Sequence, residues 1–362
     1  MKKQFQPGNG TGLNRRSFMT HGVIAAGALS GLARTGLGNA APIAASELPT
    51  IADKSTCRQV LCGPMIPLVT HYNRDLTLDL GAYRENLRYL MDHGIRTGQG
   101  AFLVAGAGGD FPMLTVQERA ALAKVAAEVT NGKVPLVISA QATDIRVSQE
   151  LGRVAEDLGA YAAQMSPPYY FHPSDDDVIR FYHAASAGMK KSGLMVYNTF
   201  WEGYNMSFEV LDQLVDMDRV VSLKWATPNG NLDYLVGVAR YGEKVAVIDN
   251  TDAWPITAMA GGAGFISHMA SILPAHCVEL FHLTQAGKYK EALDSMRAVD
   301  WDWERFRGVM AGKTAGEAPT VKASLELCGR PGGDCRPPSR SLTREERESL
   351  RKVLVKIGAP VV

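Results

Sequence analysis

Between Gly63 and Gly287 the chain repeats one pattern eight times: a short apolar run, a loop, then a longer amphipathic stretch. The runs are "GPMIPLVT", "GAFLVAG", "VPLVIS", "AYAAQMS", "LMVY", "VVSLK", "KVAVID" and "GAGFIS". Stretches such as "LDLGAYRENLRYLMDHG" and "TVQERAALAKVAAEVTNG" carry apolar residues at helical spacing and stop at glycine. Apolar runs too short for helices, separated by helices, read as parallel strands joined by crossovers. Eight pairs without a break favour closure into a (β/α)8 TIM barrel over an open doubly wound sheet. We place the barrel at 61–287, preceded by a linker at 41–60. A C-terminal helical subdomain follows at 288–362, and its last helix opens on a capping box, Thr343 to Glu346.

One pair of side chains follows from that alternation. The fifth run ends at Tyr197 and the sixth at Lys224, so both stand at the same end of neighbouring parallel strands. That end of a barrel is where active sites sit. A buried ammonium must be paired, reach solvent along its stem, or be held partly neutral. A partly neutral lysine can condense with a carbonyl to a Schiff base, and a neighbouring phenol can move the protons. From spacing alone, a lysine that simply reaches solvent is the alternative.

The chain opens differently. Arg15 and Arg16 precede Phe18, a mild apolar run from Gly22 to Ala33, and small residues up to Ala40. Twin arginines before a weak apolar run resemble a Tat export signal at 1–40, which implies a periplasmic or otherwise exported protein. The run is too short to span a bilayer, so no membrane span is expected in the mature protein. Without the five basic residues of this segment, 33 basic and 37 acidic residues remain, near −4 in charge. No basic stripe suggests nucleic acid. Five cysteines include no CxxC and no zinc spacing; Cys328 and Cys335 could pair across "GRPGGD" or stay as free thiols, as could Cys57 and Cys62.

Two further loops stand out. After the second strand, "GAGGDFPMLTVQE" combines an unobstructed Gly106–Gly109 turn, suited to a small anion, with a Thr115–Glu118 capping box; a plain tight turn and a nucleotide loop are the alternatives, the latter without the third glycine of GxGxxG or a P-loop lysine. After the fourth, "SPPYYFHPS" carries Tyr169 and Tyr170. Asp175–Asp177 reads as the acidic first turn of a helix, and His172, His268, His276 and His282 lack metal spacing, so no metal is expected.

Taken together the motifs resemble the dihydrodipicolinate synthase / N-acetylneuraminate lyase superfamily of class I Schiff-base aldolases. The resemblance runs from about Gly63 to Gly358, on "GPMIPLVT", "GAGGDFPMLTVQER", "SPPYYFHPS", "VYNTF", "VVSLKWAT", "GGAGFIS" and "RPPSRSLTREERESLRKVL" in register. It implies that Lys224 forms an imine with a 2-oxo acid such as pyruvate and that Tyr197 shuttles protons. Tyr170 would extend a relay into a neighbouring subunit. Ala107, Gly108 and Gly109 would hold the substrate carboxylate, with the Ile266 backbone lining the pocket. The imine is itself the electron sink, so no cofactor is expected. A homodimer or homotetramer is implied.

Departures from the family pattern shape the expectation. Ala107 and Gly108 stand where paired hydroxyl residues are usual, and Phe200 replaces a proline. Glu202 stands where a carboxylate-binding arginine is usual, Asn250 replaces a pocket glycine, and His71 a proline. A carboxylate beside a second carboxylate repels it. We therefore expect an exported lyase, aldolase or dehydratase whose substrate has a hydroxylated or aromatic tail, met by Trp201, Glu202, Tyr204 and Trp225. The alternatives are 4-hydroxy-tetrahydrodipicolinate synthase and a non-catalytic 2-oxo-acid-binding barrel.

Overall fold

The computed structural model describes residues 49 and 51–362, so the twin-arginine segment lies outside the described residues. Eight parallel strands, each hydrogen-bonded to the next and the last to the first, close the barrel. They are β1 (Gly63–Pro67), β2 (Ala101–Val104), β3 (Leu136–Ser139), β4 (Ala162–Met165), β5 (Gly193–Tyr197), β6 (Val220–Trp225), β7 (Ala246–Asp249) and β8 (Gly264–Ile266). A short α1 (Cys57–Val60) precedes β1. Helices α2 (Leu80–Asp92), α3 (Val116–Thr130), α4 (Ile145–Asp157), α5 (Asp175–Ser186), α6 (Phe208–Asp216), α7 (Asn231–Tyr241), α8 (Trp254–Met259) and α9 (Pro274–Gln285) follow the strands in turn. The tail adds α10 (Tyr289–Thr314), α11 (Ala318–Leu327) and α12 (Arg344–Lys356). Capping boxes start α3 at Thr115/Glu118 and α12 at Thr343/Glu346, and a third starts α5, where Asp177 closes back on Ser174. Among the described residues no helix is long and apolar enough to cross a membrane.

Two buried layers hold this arrangement. Met65, Leu103, Val137, Met195, Val221 and Ile248 fill the barrel interior. Val220, Leu223, Trp225, Val196 and Val247 face outward into the layer beneath the helices. Burying each such side chain stabilises the fold by about 1.5–3 kcal/mol. Within the stretch 41–60, Ala52, Cys57 and Val60 pack into the interior cluster beside Leu61 of the barrel segment. The strand-leading end of the barrel is thus closed by α1, whose four residues are too few to show a period.

One irregularity decides which way β6 points. Leu194 pairs with Val220 but Met195 pairs with Ser222, which leaves Val221 as an extra residue. Val220 faces out and Val221 in, so strict alternation would turn Lys224 outward and Trp225 inward. The extra residue reverses that parity. Lys224 then shares register with Tyr197, and both point into the barrel mouth. Gly193 makes the bulge sterically feasible, because a Cβ there would lie 2.3 Å from the Val221 side chain.

The C-terminal helices are not an appended module. Trp303, Val321, Leu325 and Leu350 join the same buried layer as the barrel helices. Polar ties reinforce this. Lys322 Nζ lies 3.5 Å from Asp110 Oδ2 and donates to the Asp334 carbonyl at 2.8 Å. Arg336 donates to both oxygens of Glu118 and to the carbonyls of Met113 and Leu76. His71 sits 2.8 Å from the Gly332 carbonyl through Nδ1 and 3.1 Å from Asn86 Nδ2 through Nε2. With both ring nitrogens engaged, His71 is an anchor for the tail, and burial pushes its pKa down to about 4. All five cysteines are free thiols, so of the two alternatives left open for Cys328 and Cys335, and for Cys57 and Cys62, the structure has the unpaired one.

Candidate active site

A cavity of about 170 Å³ opens at the carboxyl ends of the strands. Its floor is Pro67 and Leu103, its walls Tyr197, Lys224 and Ile266, and its rim the loops bearing Ala107–Gly108, Trp201 and Asn250–Asp252. His268, from the turn after β8, and Arg307 and Glu317, from α10 and the turn beyond it, complete the enclosure.

Lys224 is only 4% exposed, and among the described residues nothing accepts a hydrogen bond from its Nζ. The nitrogen lies 4.0 Å from the centroid of the Tyr197 ring. Burial pushes the ammonium down to about 8, although the charges of Glu317 and Glu202 pull the other way. A workable fraction of neutral amine is therefore present near neutral pH. Tyr197 is also buried, which raises its phenol well above the usual value and keeps the hydroxyl protonated. That hydroxyl accepts a long bond, 3.5 Å, from Asn250 Nδ2, and Trp201 packs edge-on against the ring.

The turn Ala107–Gly109 is one turn of 3-10 helix. The Gly109 N–H is engaged by the Gly106 carbonyl at 3.0 Å, and the Gly109 carbonyl accepts from Thr70 Oγ1 at 2.7 Å. Gly109 thus shapes the turn from behind, where a Cβ would strike the Leu68 carbonyl at 2.6 Å. Ala107 and Gly108 line the cavity, so the amides that can face a carboxylate are theirs.

Other expected residues fall elsewhere. Glu202 sits in the 3-10 turn Phe200–Glu202, beside the cavity and not in its wall. Burial raises its carboxyl, while the Lys224 charge opposes the rise. Tyr170 is 84% exposed, edge-on to the exposed Phe171, and holds φ at +81°, a region costly for a bulky residue. Within one chain it lies outside the cavity. Trp225 does not meet a substrate tail either. The β6 parity turns it outward, where its indole donates to the Tyr234 carbonyl at 3.0 Å and covers Gly237. Tyr204 donates to Asp175 at the surface. His276 Nε2 lies 2.7 Å from Asp300 Oδ2.

Four residues escaped the sequence reading as site groups: Asp252, His268, Arg307 and Glu317. His268 had one usable signal, its position two residues past β8. Arg307 and Glu317 had none, since they arrive from the tail. The Nε2 of His268 lies 3.2 Å from Glu317 Oε2. Arg307 Nε donates to Glu304 at 2.7 Å. Burial by itself would raise the Glu317 carboxyl, but the bond from His268 and the charges of Arg307 and Lys224 hold it down to about 2. Beside this cavity lies a wider groove of about 680 Å³ that shares Asp252 and Ile266 with it. The groove is lined by Trp254, Phe265, Leu293, Met296 and Trp301, with Arg297 and Arg305 at its polar side.

The chain matches the dihydrodipicolinate synthetase family over residues 61–357. It is 29% identical over 287 residues to 4-hydroxy-tetrahydrodipicolinate synthase 1 of Halalkalibacterium halodurans, covering 78% of this chain and 92% of that protein. It is 28% identical over 291 residues to the 4-hydroxy-tetrahydrodipicolinate synthase of Oceanobacillus iheyensis, covering 79% and 94%. The crystal structure of dihydrodipicolinate synthase from Thermotoga maritima superposes with a TM-score of 0.72 at 26% identity, over 83% of this chain and 99% of that one. CdNal from Clostridium difficile, solved with mannosamine, shares the fold at a TM-score of 0.73 and 19% identity, over 82% and 99%.

Proposed function

The chain belongs to the dihydrodipicolinate synthetase family, and from that premise we propose that it is a Schiff-base-forming lyase or aldolase acting on a 2-oxo acid such as pyruvate through Lys224. The observation that carries this reading is the ammonium of Lys224: buried, without an acceptor among the described residues, over the Tyr197 ring and facing a cavity. The neutral amine adds to the ketone carbon, and the carbinolamine loses its hydroxyl as water, protonated by the Tyr197 phenol. The resulting iminium accepts the electron pair when a bond at the adjacent carbon breaks, so a C–C bond is cleaved or, in reverse, made. Hydrolysis returns the lysine. The amides of Ala107 and Gly108 hold the carboxylate and the Ile266 backbone borders it, while Gly109 sets the turn.

The tail of the substrate extends past Trp201 and Asp252 toward the apolar groove, which suits an aromatic or hydroxylated aldehyde portion. Tyr170, exposed and strained, reaches a neighbouring copy in a homodimer or homotetramer and extends its proton relay. The twin-arginine segment at 1–40 directs export to the periplasm. Borohydride reduction in the presence of a panel of 2-oxo acids, read by intact mass, tests the reading. A covalent adduct with pyruvate supports it, and no adduct with any 2-oxo acid overturns it. The names of the relatives favour a second reading, 4-hydroxy-tetrahydrodipicolinate synthase. Glu202, at the place of an expected arginine, speaks against it. A coupled assay with pyruvate and aspartate semialdehyde separates the two.

A further inference from the structure

Glu317 is a carboxylate in the cavity wall that the imine chemistry does not use. It stands at the start of α11 but does not cap that helix through its side chain. The turn before it is held by the tail. Ala315 keeps φ at +55°, Ser339 Oγ donates to its carbonyl at 2.7 Å, and Thr314 Oγ1 donates to the Gly316 carbonyl at 3.3 Å. A Cβ on Gly316 would lie 2.5 Å from Ser339 Oγ, so a bare residue lets the turn close. The turn delivers Glu317 to the cavity that Lys224 and Tyr197 line, and not to the neighbouring groove. Its side chain keeps 41% of its surface open. One oxygen, Oε2, lies 3.2 Å from His268 Nε2. The other, Oε1, has no partner among the described residues and is not sealed within the fold. The charge is felt by both reacting groups: it opposes the fall of the Lys224 ammonium and pushes the Tyr197 phenol up. The cavity is small, about 170 Å³, so a molecule that fills it from Lys224 outward meets this wall.

We propose that Glu317 determines which aldehydes are joined to, or released from, the Lys224 imine: its open oxygen accepts a hydrogen bond from a hydroxyl on the aldehyde portion, and its charge turns away a carboxylate there. The inference rests on the imine reading above and assigns its substrate class to one residue. A hydroxyl donating to an ionised carboxylate makes a charge-assisted bond, stronger than one between neutral groups. A carboxylate in the same place meets like charge from Glu317 and from Asp252 on the facing loop. Arg307, on the same wall, is already matched by Glu304 at 2.7 Å. An apolar tail gains nothing from Glu317 and strips water from its open oxygen. His268, with Nε2 against Oε2, is a positioning residue that holds the carboxylate in the wall.

The test is kcat/KM for three small aldehydes with saturating pyruvate, products read by mass spectrometry, with borohydride trapping of pyruvate run on the same samples of the full chain. Glycolaldehyde carries a hydroxyl, propanal a methyl in its place, and glyoxylate a carboxylate. The unaltered chain should use glycolaldehyde best and glyoxylate worst, although glyoxylate is the most electrophilic of the three. In Glu317→Leu the glycolaldehyde-to-propanal ratio should fall by about 10–100-fold. In Glu317→Gln it should fall less, because the amide oxygen still accepts. The glyoxylate-to-propanal ratio should rise about tenfold in both variants. A purely structural role would lower all three aldehydes together and leave the ratios in place, and ratios also cancel any common change in imine formation. Unchanged ratios in variants that still form the pyruvate adduct, or an unaltered chain that forms the adduct yet prefers glyoxylate or ignores glycolaldehyde, overturn this inference alone. Absence of an adduct on the unaltered chain overturns the imine reading, and this inference with it.

Discussion

Lys224 and Lys322 are 4% and 2% exposed, and each lies over a tyrosine ring, Tyr197 at 4.0 Å and Tyr72 at 4.4 Å. By burial and by cation–π contact the two are alike. They differ in what accepts their protons. Lys322 faces the Asp110 carboxylate and the Asp334 carbonyl, so its charge is matched inside the fold. Lys224 faces a cavity and has no acceptor among the described residues. The first ties a helix of the tail to the loop after β2. The second leaves a desolvated amine facing open space, as the proposed imine chemistry needs. Burial alone does not suit a lysine to nucleophilic chemistry; a depressed ammonium without a hydrogen-bond acceptor, beside open space, is what the proposed role requires.

The sharpest separation comes from the two tyrosines. Tyr197→Phe keeps the ring and removes the hydroxyl, so turnover of a 2-oxo acid should fall by about 10²–10⁴-fold. Tyr72→Phe, under the other lysine, should leave turnover essentially unchanged. Steady-state kinetics on both variants checks this, and equal losses would erase the distinction.

Removing each amine should move stability in opposite directions. Lys322→Met strands the Asp110 carboxylate in the interior and should cost about 3–5 kcal/mol. Lys224→Met removes a desolvated ammonium that Glu317 and Glu202 offset only in part, and should stabilise the fold, on the order of 3 kcal/mol at most from the depressed pKa. Urea unfolding of the two variants measures both, and a loss of equal size in each would break the comparison.

The smallest effect is the pH dependence of that gain. Burial lowers Lys224 from 10.5 to about 8. Between those values the unfolded chain binds more protons than the folded one, so the wild-type protein gains stability as pH rises. Below about pH 8 it carries the full penalty. The advantage of Lys224→Met should therefore be greatest near neutral pH and shrink as pH rises from about 8 toward 10.5. A pH-independent advantage would mean that Lys224 is not depressed.

How much of this was legible in the sequence follows from range. Apolar runs alternating with amphipathic stretches are local signals, and they place all eight strands and the helices that follow them. Tyr197 and Lys224 were legible as strand ends. The face Lys224 takes was not, because it depends on the single extra residue Val221, which leaves no mark in composition. The same bulge sends Trp225 outward, against its expected place in the cavity. Arg307 and Glu317 were invisible for a different reason. They sit on a helix and a turn far along the chain, and only the packing of the tail across the barrel mouth brings them to Lys224. The four residues of α1 carry no period, so nothing local marked them as a plug for the barrel.

The central claim is that Lys224, and not its structural twin, carries the chemistry. Reduction with borohydride in the presence of pyruvate, followed by proteolysis and peptide mass mapping, tests it directly. The expected result is one carboxyethyl group on the peptide containing Lys224 and none on the peptide containing Lys322. An unmodified Lys224 at saturating pyruvate, or a label spread over other lysines, would contradict the account.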